Sequence, residues 1–325
     1  MDNALLISPK FFGYEYKIKD ALSKIGYCVD FYDERLDNSV GLKAMIRLNK
    51  FFIRKKIHSS FMQMLKNSKH KNYKIILVVK GETMSNWMMI KIKEFFPKAI
   101  VILYLYDSIK NNPNSINLLN KFDKVFSFDN EDCNNYDSMN FLPLFYTNEY
   151  KTIGRKNEFE IDALFIGTAH PGRYNILEKI KNQLNGYNLK CYFFMFLSAK
   201  ILYIYNKVLF GAYKCSKITE FSYSSLTEDQ VIDLYKKSRV IIDIQHPDQT
   251  GLTMRSFECL GAKRKMITTN FHIKEYDFYN PKNIYILDNN SCEIYKDFFL
   301  DDYSNIDKVV YDKYNIDTWI KTIIS

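Results

Sequence analysis

Short apolar runs, spaced by stretches of helical periodicity, recur along the whole chain, and after a polar interval the pattern starts again. In the first half the runs fall at residues 4–8, 27–31, 74–79, 100–106, 124–128 and 140–142, with helical patterns at 14–25, 83–96 and 114–120. Residues 147–160 are polar and charged and read as a linker. Beyond them, strands are predicted at 161–166, 189–195, 239–244 and 283–287, and helices at 173–184, 227–237 and 316–324. Strands that alternate with helices build a parallel sheet covered on both faces. The predicted fold is therefore α/β, two Rossmann-like doubly wound domains facing a cleft. The expected domains are 1–150 and 151–325, with the terminal helix free to pack back on the first. A chain of 325 residues has length enough for two such cores.

The most specific stretch runs from Gln245 to Asn270, QHPDQTGLTMRSFECLGAKRKMITTN. It lies between two apolar runs and reads as strand, loop, helix, strand. The helix places Gly251, Arg255 and Glu258 at i, i+4, i+7 on one face, and Met254, Phe257 and Gly261 form a second face suited to a sheet. A glycine at a helix start, followed by a cation and a carboxylate on one side, suits a phosphorylated sugar nucleotide. The first-turn N–H groups and the helix dipole hold phosphates. Arg255 adds charge, and Glu258 accepts hydrogen bonds from hydroxyls. The plainer reading of Arg255 and Glu258 is a surface i, i+3 ion pair, worth roughly 0.2–0.5 kcal/mol.

Ligands of open α/β sheets bind beyond the carboxyl ends of the strands, so other candidates were sought on strand-end loops. Gly167, Thr168, His170 and Arg173 follow the first strand of the second half. Arg173 is placed to neutralise a departing diphosphate, or is an exposed loop arginine. His170 touches phosphate or is inert. His246, before Pro247 at a strand end, orients a bound ligand or is a turn histidine. Gly13 and Glu15 lie on the first strand-to-helix loop, where a glycine is also common at any tight turn. Asp107, ending the run VILYLYD, is the preferred catalytic base, open equally to a role as N-cap of the next turn. Glu15 is the competing base.

Charge and cysteine usage narrow the classes. The six cysteines are scattered with no close pairs, and the five histidines are dispersed, so neither a disulfide framework nor a metal cluster is expected. No secretory leader and no membrane span are read, which places the protein in the cytoplasm or peripherally on the inner face of the cytoplasmic membrane. The net charge of +9 is concentrated from Lys43 to Lys71, a window without Asp or Glu in which Lys and Arg interleave with apolar residues. This basic amphipathic pattern fits an anionic membrane surface or an anionic acceptor, or is a solvated helix face. Nucleic acid ranks last and is not expected, since no recognition motif accompanies the charge. Residues 198–213, apolar and aromatic with two lysines, read as a core helix, with contact to a lipid-linked acceptor as the alternative.

On LFIGTAHPGR, SRVIIDIQHP and GLTMRSFECLGAKRKMITTN, the chain resembles bacterial glycosyltransferases of the GT-B fold, nearest to those of surface-polysaccharide clusters and the spore-maturation, CgeB-like group. The likeness covers about 161–288 well; in the first half it is limited to FDKVFSFDNED and FLPLFY. The resemblance implies a nucleotide-diphospho-sugar donor on the second domain, a glycan acceptor (lipid-linked in one variant) on the first, and no bound metal or other cofactor. It implies that Glu258 binds ribose or donor-sugar hydroxyls and that Thr250, Gly251, Leu252 and Thr253 offer backbone N–H groups to the diphosphate. It also implies that Gly13 lets the acceptor-side loop approach the donor. One departure matters. Many retaining members carry two Glu seven residues apart, and here Thr250 stands at the first position, so stereochemistry is not inherited from the motif.

Overall fold

The computed structural model describes residues 1–35, 51–156, 158–209, 213, 216–245, 250–288 and 291–325, without the side chains of 51–53. The chain divides into two compact units, Met1–Leu144 with Ile316–Ser325, and Phe145–Asn315. The first contains β1 (Asp2–Ser8), α1 (Tyr14–Lys24), β2 (Tyr27–Asp33), α2 (Phe51–Ser68), β3 (Tyr73–Val79), α3 (Asn86–Phe95), β4 (Ile100–Leu105), β5 (Lys124–Ser127), α4 (Asn130–Asn135) and β6 (Asn140–Phe141). Its sheet is parallel throughout, in the order β2-β1-β3-β4-β5-β6. Central strands are covered on both faces, so Ala4–Ile7 and Ile75–Val79 are apolar without alternation.

In α2, Ile57, Phe61 and Leu65 recur at i, i+4, i+8 and pack into the core with Leu5, Ile76 and Met88. Arg54, Lys55 and Lys56 stay exposed. In the described part of the basic window, then, the apolar stripe is core and only the basic face is outward. Lys43, Arg47 and Lys50 lie outside the described residues.

The second unit contains α5 (Asn148–Ile153), β7 (Ile161–Thr168), α6 (Pro171–Gly186), β8 (Cys191–Phe196), α7 (Lys200–Leu209), β9 (Phe221–Ser222), α8 (Glu228–Lys237), β10 (Ser238–Asp243), α9 (Met254–Ala262), β11 (Lys265–Thr268), β12 (Ile284–Ile286), α10 (Asp297–Leu300) and α11 (Lys308–Lys313). Its parallel sheet is ordered β12-β11-β10-β7-β8-β9, with strand order reversing between β7 and β10. The last helix, α12 (Ile316–Ile324), returns to the first unit, where Trp319 meets Tyr104 edge-on with ring centroids 4.7 Å apart.

Two expectations are corrected. Residues 147–160 are not a plain linker: α5 buries Tyr150 and Ile153 and packs on α9 and α8. The 198–213 stretch is not a core helix, because α7 buries only Tyr203 and turns its large apolar side chains outward. Among the described residues, no helix is long and apolar enough to cross a membrane.

Candidate functional site

In the second unit the carboxyl ends of β7 and β10 lie side by side where the strand order reverses, the position at which open α/β sheets hold ligands. Gly167 and Thr168, expected on a loop, are the last two residues of β7. A Cβ on Gly167 would stand 2.8 Å from the Phe165 ring, so glycine makes room for that ring. Two guanidinium groups lie near the same ring, Arg173 at 5.9 Å and Arg255 at 5.7 Å from its centroid.

Arg173 is not a free loop arginine. Its Nε and Nη2 donate to the Ile244 carbonyl at 3.0 and 2.8 Å, and its Nη1 donates to the Thr168 carbonyl at 2.8 Å. One planar fork thus ties together the two strand ends that border the switch point. Burial and then the neighbouring Arg255 charge hold Arg173 below its ordinary pKa.

Arg255 is paired through Nη1 with Asp243 Oδ1 at 3.6 Å, and its Nε is buried without a hydrogen-bond partner. Burial opposes its charge most strongly of any single influence, but Asp243, Tyr235, Glu258 and Cys259 together outweigh it and hold Arg255 above its ordinary value. Asp243 closes β10 and is 2 % exposed. It was not singled out in the sequence. The readable signal was an acid at the end of an otherwise apolar strand, costly to bury unless paired. Arg173 and Arg255 both feel Asp243, and Glu258 also acts on Arg255, so the two cations stand at the switch point against two buried carboxylates.

The loop before α9 is stitched from the far side. Asn270 Nδ2 donates to the Thr250 carbonyl at 3.1 Å and also to Gln245 Oε1; Gln245 Nε2 donates to the Gly251 carbonyl at 3.3 Å. Gly251 and Leu252 are buried. Helix α9 begins only at Met254, so Gly251 lies on the approach to it, and the expected i, i+4, i+7 face reduces to Arg255 and Glu258. Thr253 is the N-cap residue, yet its hydroxyl donates to Asp243 Oδ2 at 2.8 Å and does not cap the helix. The usual occupant of the first-turn amides is diverted, and the helix presents its positive dipole end at the same place as the two arginines.

Glu258, one turn into α9, is buried and accepts the Tyr235 hydroxyl at Oε2, 3.1 Å away; the Tyr150 hydroxyl also bonds to it. Burial, and then the Glu258 charge, raise both tyrosines well above their ordinary pKa. Helices α5 and α8 thereby orient the carboxylate. His170 is the exposed N-cap residue of α6, and no side-chain cap bond is made there. His246 lies outside the described residues.

In the first unit, Gly13 is the N-cap of α1 with φ 81°, a left-handed conformation suited to glycine. Glu15 is 2 % exposed and its Oε2 accepts the Phe11 amide at 3.0 Å, closing that turn. Asp107 is part-exposed. Its Oδ1 accepts from Asn111 Nδ2 at 3.0 Å, and its Oδ2 lies 3.3 Å from Lys80 Nζ. The N-cap of the following 3-10 helix, Pro113–Lys121, is Asn112. Nearby charges went unread in the sequence: Lys80 lies 3.7 Å from Glu82, and Glu82 pairs with Arg35. A separate cavity of about 240 Å³ opens among Arg54, His58, Ser85, Asn86, Asn114 and Asn117. There His58 stacks on Trp87 at 4.3 Å and places Nε2 3.2 Å from Ser85 Oγ.

The sequence matches no protein-family model and no curated protein. Solved structures do share its architecture. The Anabaena protein HepE, in complex with UDP and glucose, is similar at TM-score 0.63 and 10% identity over 100% of this chain and 98% of that one. A glycosyltransferase from Rickettsia africae is similar at TM-score 0.62 and 12% identity, covering 99% and 97%. The UDP-GlcNAc 2-epimerase of Neisseria meningitidis, bound to UDP-GlcNAc, is similar at TM-score 0.56 and 11% identity, covering 100% and 98%. With two parallel six-stranded sheets flanked by helices, the chain has the two-domain, Rossmann-like GT-B fold.

Proposed function

We propose that the protein transfers a sugar from a nucleotide-diphospho-sugar to a hydroxyl of a cell-surface glycan precursor. The observation that carries this reading is the pair Arg173 and Arg255 over Phe165, both near Asp243 at the start of α9, where the Thr253 hydroxyl is turned to Asp243. Two guanidinium groups that repel each other and converge on one ring favour a multivalent anion, and a diphosphate meets both with its oxygens. In this reading Thr250, Gly251, Leu252 and Thr253 offer main-chain N–H groups to the diphosphate, and Gly167, Thr168, His170 and His246 border the donor. Glu258, oriented by two tyrosines, accepts from donor hydroxyls. The charge that develops on the leaving nucleoside diphosphate is met by arginines and helix dipole, so the reaction proceeds without a metal ion.

Asp107 is the proposed base, in preference to Glu15, because Asp107 is part-exposed while Glu15 is buried and already accepts the Phe11 amide. Asp107 takes the acceptor hydroxyl proton as the bond from the sugar anomeric carbon to the diphosphate oxygen breaks with oxocarbenium character. Gly13 lets the acceptor-side loop approach the donor. The acceptor, free or lipid-linked, is held by the first unit, whose cavity beside Arg54 and His58 offers Ser85, Asn86, Asn114 and Asn117 to sugar hydroxyls and Ile57, Met84 and Leu118 to apolar ring faces. The exposed Arg54, Lys55 and Lys56 add attraction to an anionic membrane surface, consistent with a peripheral cytoplasmic enzyme.

The test is transfer of labelled sugar from UDP-, GDP- and dTDP-sugars into a membrane extract, with EDTA present. Transfer by the wild type, reduced at least a hundredfold in Asp107→Asn, is expected. Donor binding without transfer or breakdown would instead make this a non-catalytic GT-B-like binding protein. Conversion of the free nucleotide sugar to an epimer would make it an isomerase.

A further inference from the structure

Helix α7 is amphipathic the wrong way round for a protein surface. Ile201, Ile204, Tyr205 and Val208 recur at i, i+3, i+4, i+7 and form one outward face, with Ile201 70% and Val208 74% exposed. Leu202 and Leu209 flank that face and are exposed as well. On the opposite side Tyr203 alone is buried, stacked near Tyr213 and donating to the Ser216 carbonyl at 2.8 Å. Lys207 reinforces the anchor by donating to Tyr203 Oη and the Ser216 carbonyl. A short helix is thus pinned by one aromatic and offers six large apolar side chains to the outside, a contiguous patch of the kind that marks an interaction surface.

The charge around it selects the partner. From Lys179 to Thr219 the sequence has no Asp or Glu, while Lys190, Lys200, Lys207, Lys214 and Lys217 are spread along it. Lys200, which opens the helix, and Lys217, next to the Ser216 anchor, are both exposed. Apolar side chains and a tyrosine beside exposed lysines, with the nearby Glu220 already accepting from the Lys217 amide and the Tyr174 hydroxyl, match an anionic bilayer surface: the chains enter the acyl boundary and the lysines meet the headgroups. We infer that α7 docks the second unit on an anionic lipid membrane through Ile201, Ile204, Tyr205 and Val208. This contact differs from one made by the basic face of α2, whose apolar stripe is already in the core. It stands independently of the sugar-transfer reading, since it needs neither donor nor acceptor.

The full chain is sedimented with vesicles of phosphatidylcholine alone and of phosphatidylcholine mixed with phosphatidylglycerol. Binding to the mixed vesicles is expected, weakened at least tenfold in the double variant Ile201→Asp, Val208→Asp. Both side chains are exposed, so the melting temperature of that variant stays at the wild-type value. Failure of the wild type to bind mixed vesicles overturns the proposal. So does undiminished binding by the double variant, or binding that is lost only when Arg54, Lys55 and Lys56 are neutralised. A wild-type dimer that the double variant turns to monomer, without vesicle binding, assigns the face to a second copy and overturns it too.

Discussion

Glu34 follows β2 and is 1 % exposed. Its carboxylate accepts the Glu82 and Thr83 amides at 3.2 and 3.0 Å, and the Thr83 hydroxyl lies 3.1 Å from Oε2. Burial pushes its pKa from 4.5 up to about 7, against the pull of the amides and with help from the Glu82 charge. Since the folded value lies above the unfolded one, the stabilisation is fully present below about pH 4.5 and is lost as pH rises through about 7. At about 1.4 kcal/mol per pH unit, the full loss is on the order of 3 kcal/mol. Melting temperature is expected to fall over that range in the wild type and to fall less steeply in Glu34→Gln, where Asp132, raised by burial to about 6, still contributes. An equal slope in both would show that Glu34 is not the titrating group. Residues of this kind are hard to find in a sequence. Nothing in DERL marks an acid whose partners, Glu82 and Thr83, arrive from 48 and 49 positions away. Asp243 and Arg255 were closer to legible, because both belong to a stretch whose strand–loop–helix pattern could be read.

Helix α9 shows what an element's pattern conveys and what it leaves out. Its existence and its buried Phe257 follow from periodicity, but its start does not: Thr253 caps in backbone conformation only, and Gly251 is left outside. Gly261 marks its other constraint. A Cβ there would stand 2.6 Å from the Tyr146 ring, and Tyr146 is held by its own bond to the Tyr311 carbonyl at 3.0 Å. Gly261→Ala is therefore expected to cost roughly 1–3 kcal/mol, as overpacking does. Gly186, at the end of α6, has open space at the same point. Gly186→Ala is expected to be stabilising by about 0.4–1 kcal/mol. Chemical denaturation of the two variants checks the contrast, and a similar loss in both would remove the steric account. Helices α5 and α7 were misread for opposite reasons. In α5 two buried residues, Tyr150 and Ile153, sit in polar sequence. In α7 the periodicity was correct, but periodicity says only that a helix has an apolar face, never what that face meets.

At the scale of the molecule, parallel αβ alternation was legible because each strand run is short, apolar and punctuated. From sequence the last helix is free to pack back on the first domain, because no local signal says which core Trp319, Ile320 and Ile323 enter. They belong with the first unit. Trp319→Ala is expected to lower that unit's stability by roughly 3–5 kcal/mol. A separately expressed 145–315 segment is expected to fold and to melt cooperatively without it, as circular dichroism would show. That segment also carries every residue proposed to hold the donor, so the central claim rests on its arginine pair. The most direct measurement is calorimetric titration of the full chain with UDP, GDP and dTDP and their sugars, for the wild type and for Arg255→Ala. Losing a charge-assisted bond costs about 1.5–3 kcal/mol, so binding to one nucleotide series is predicted, weakened roughly tenfold to a hundredfold in the variant. No binding of any nucleotide by the wild type, or equal affinity in a folded Arg255→Ala, would contradict the account.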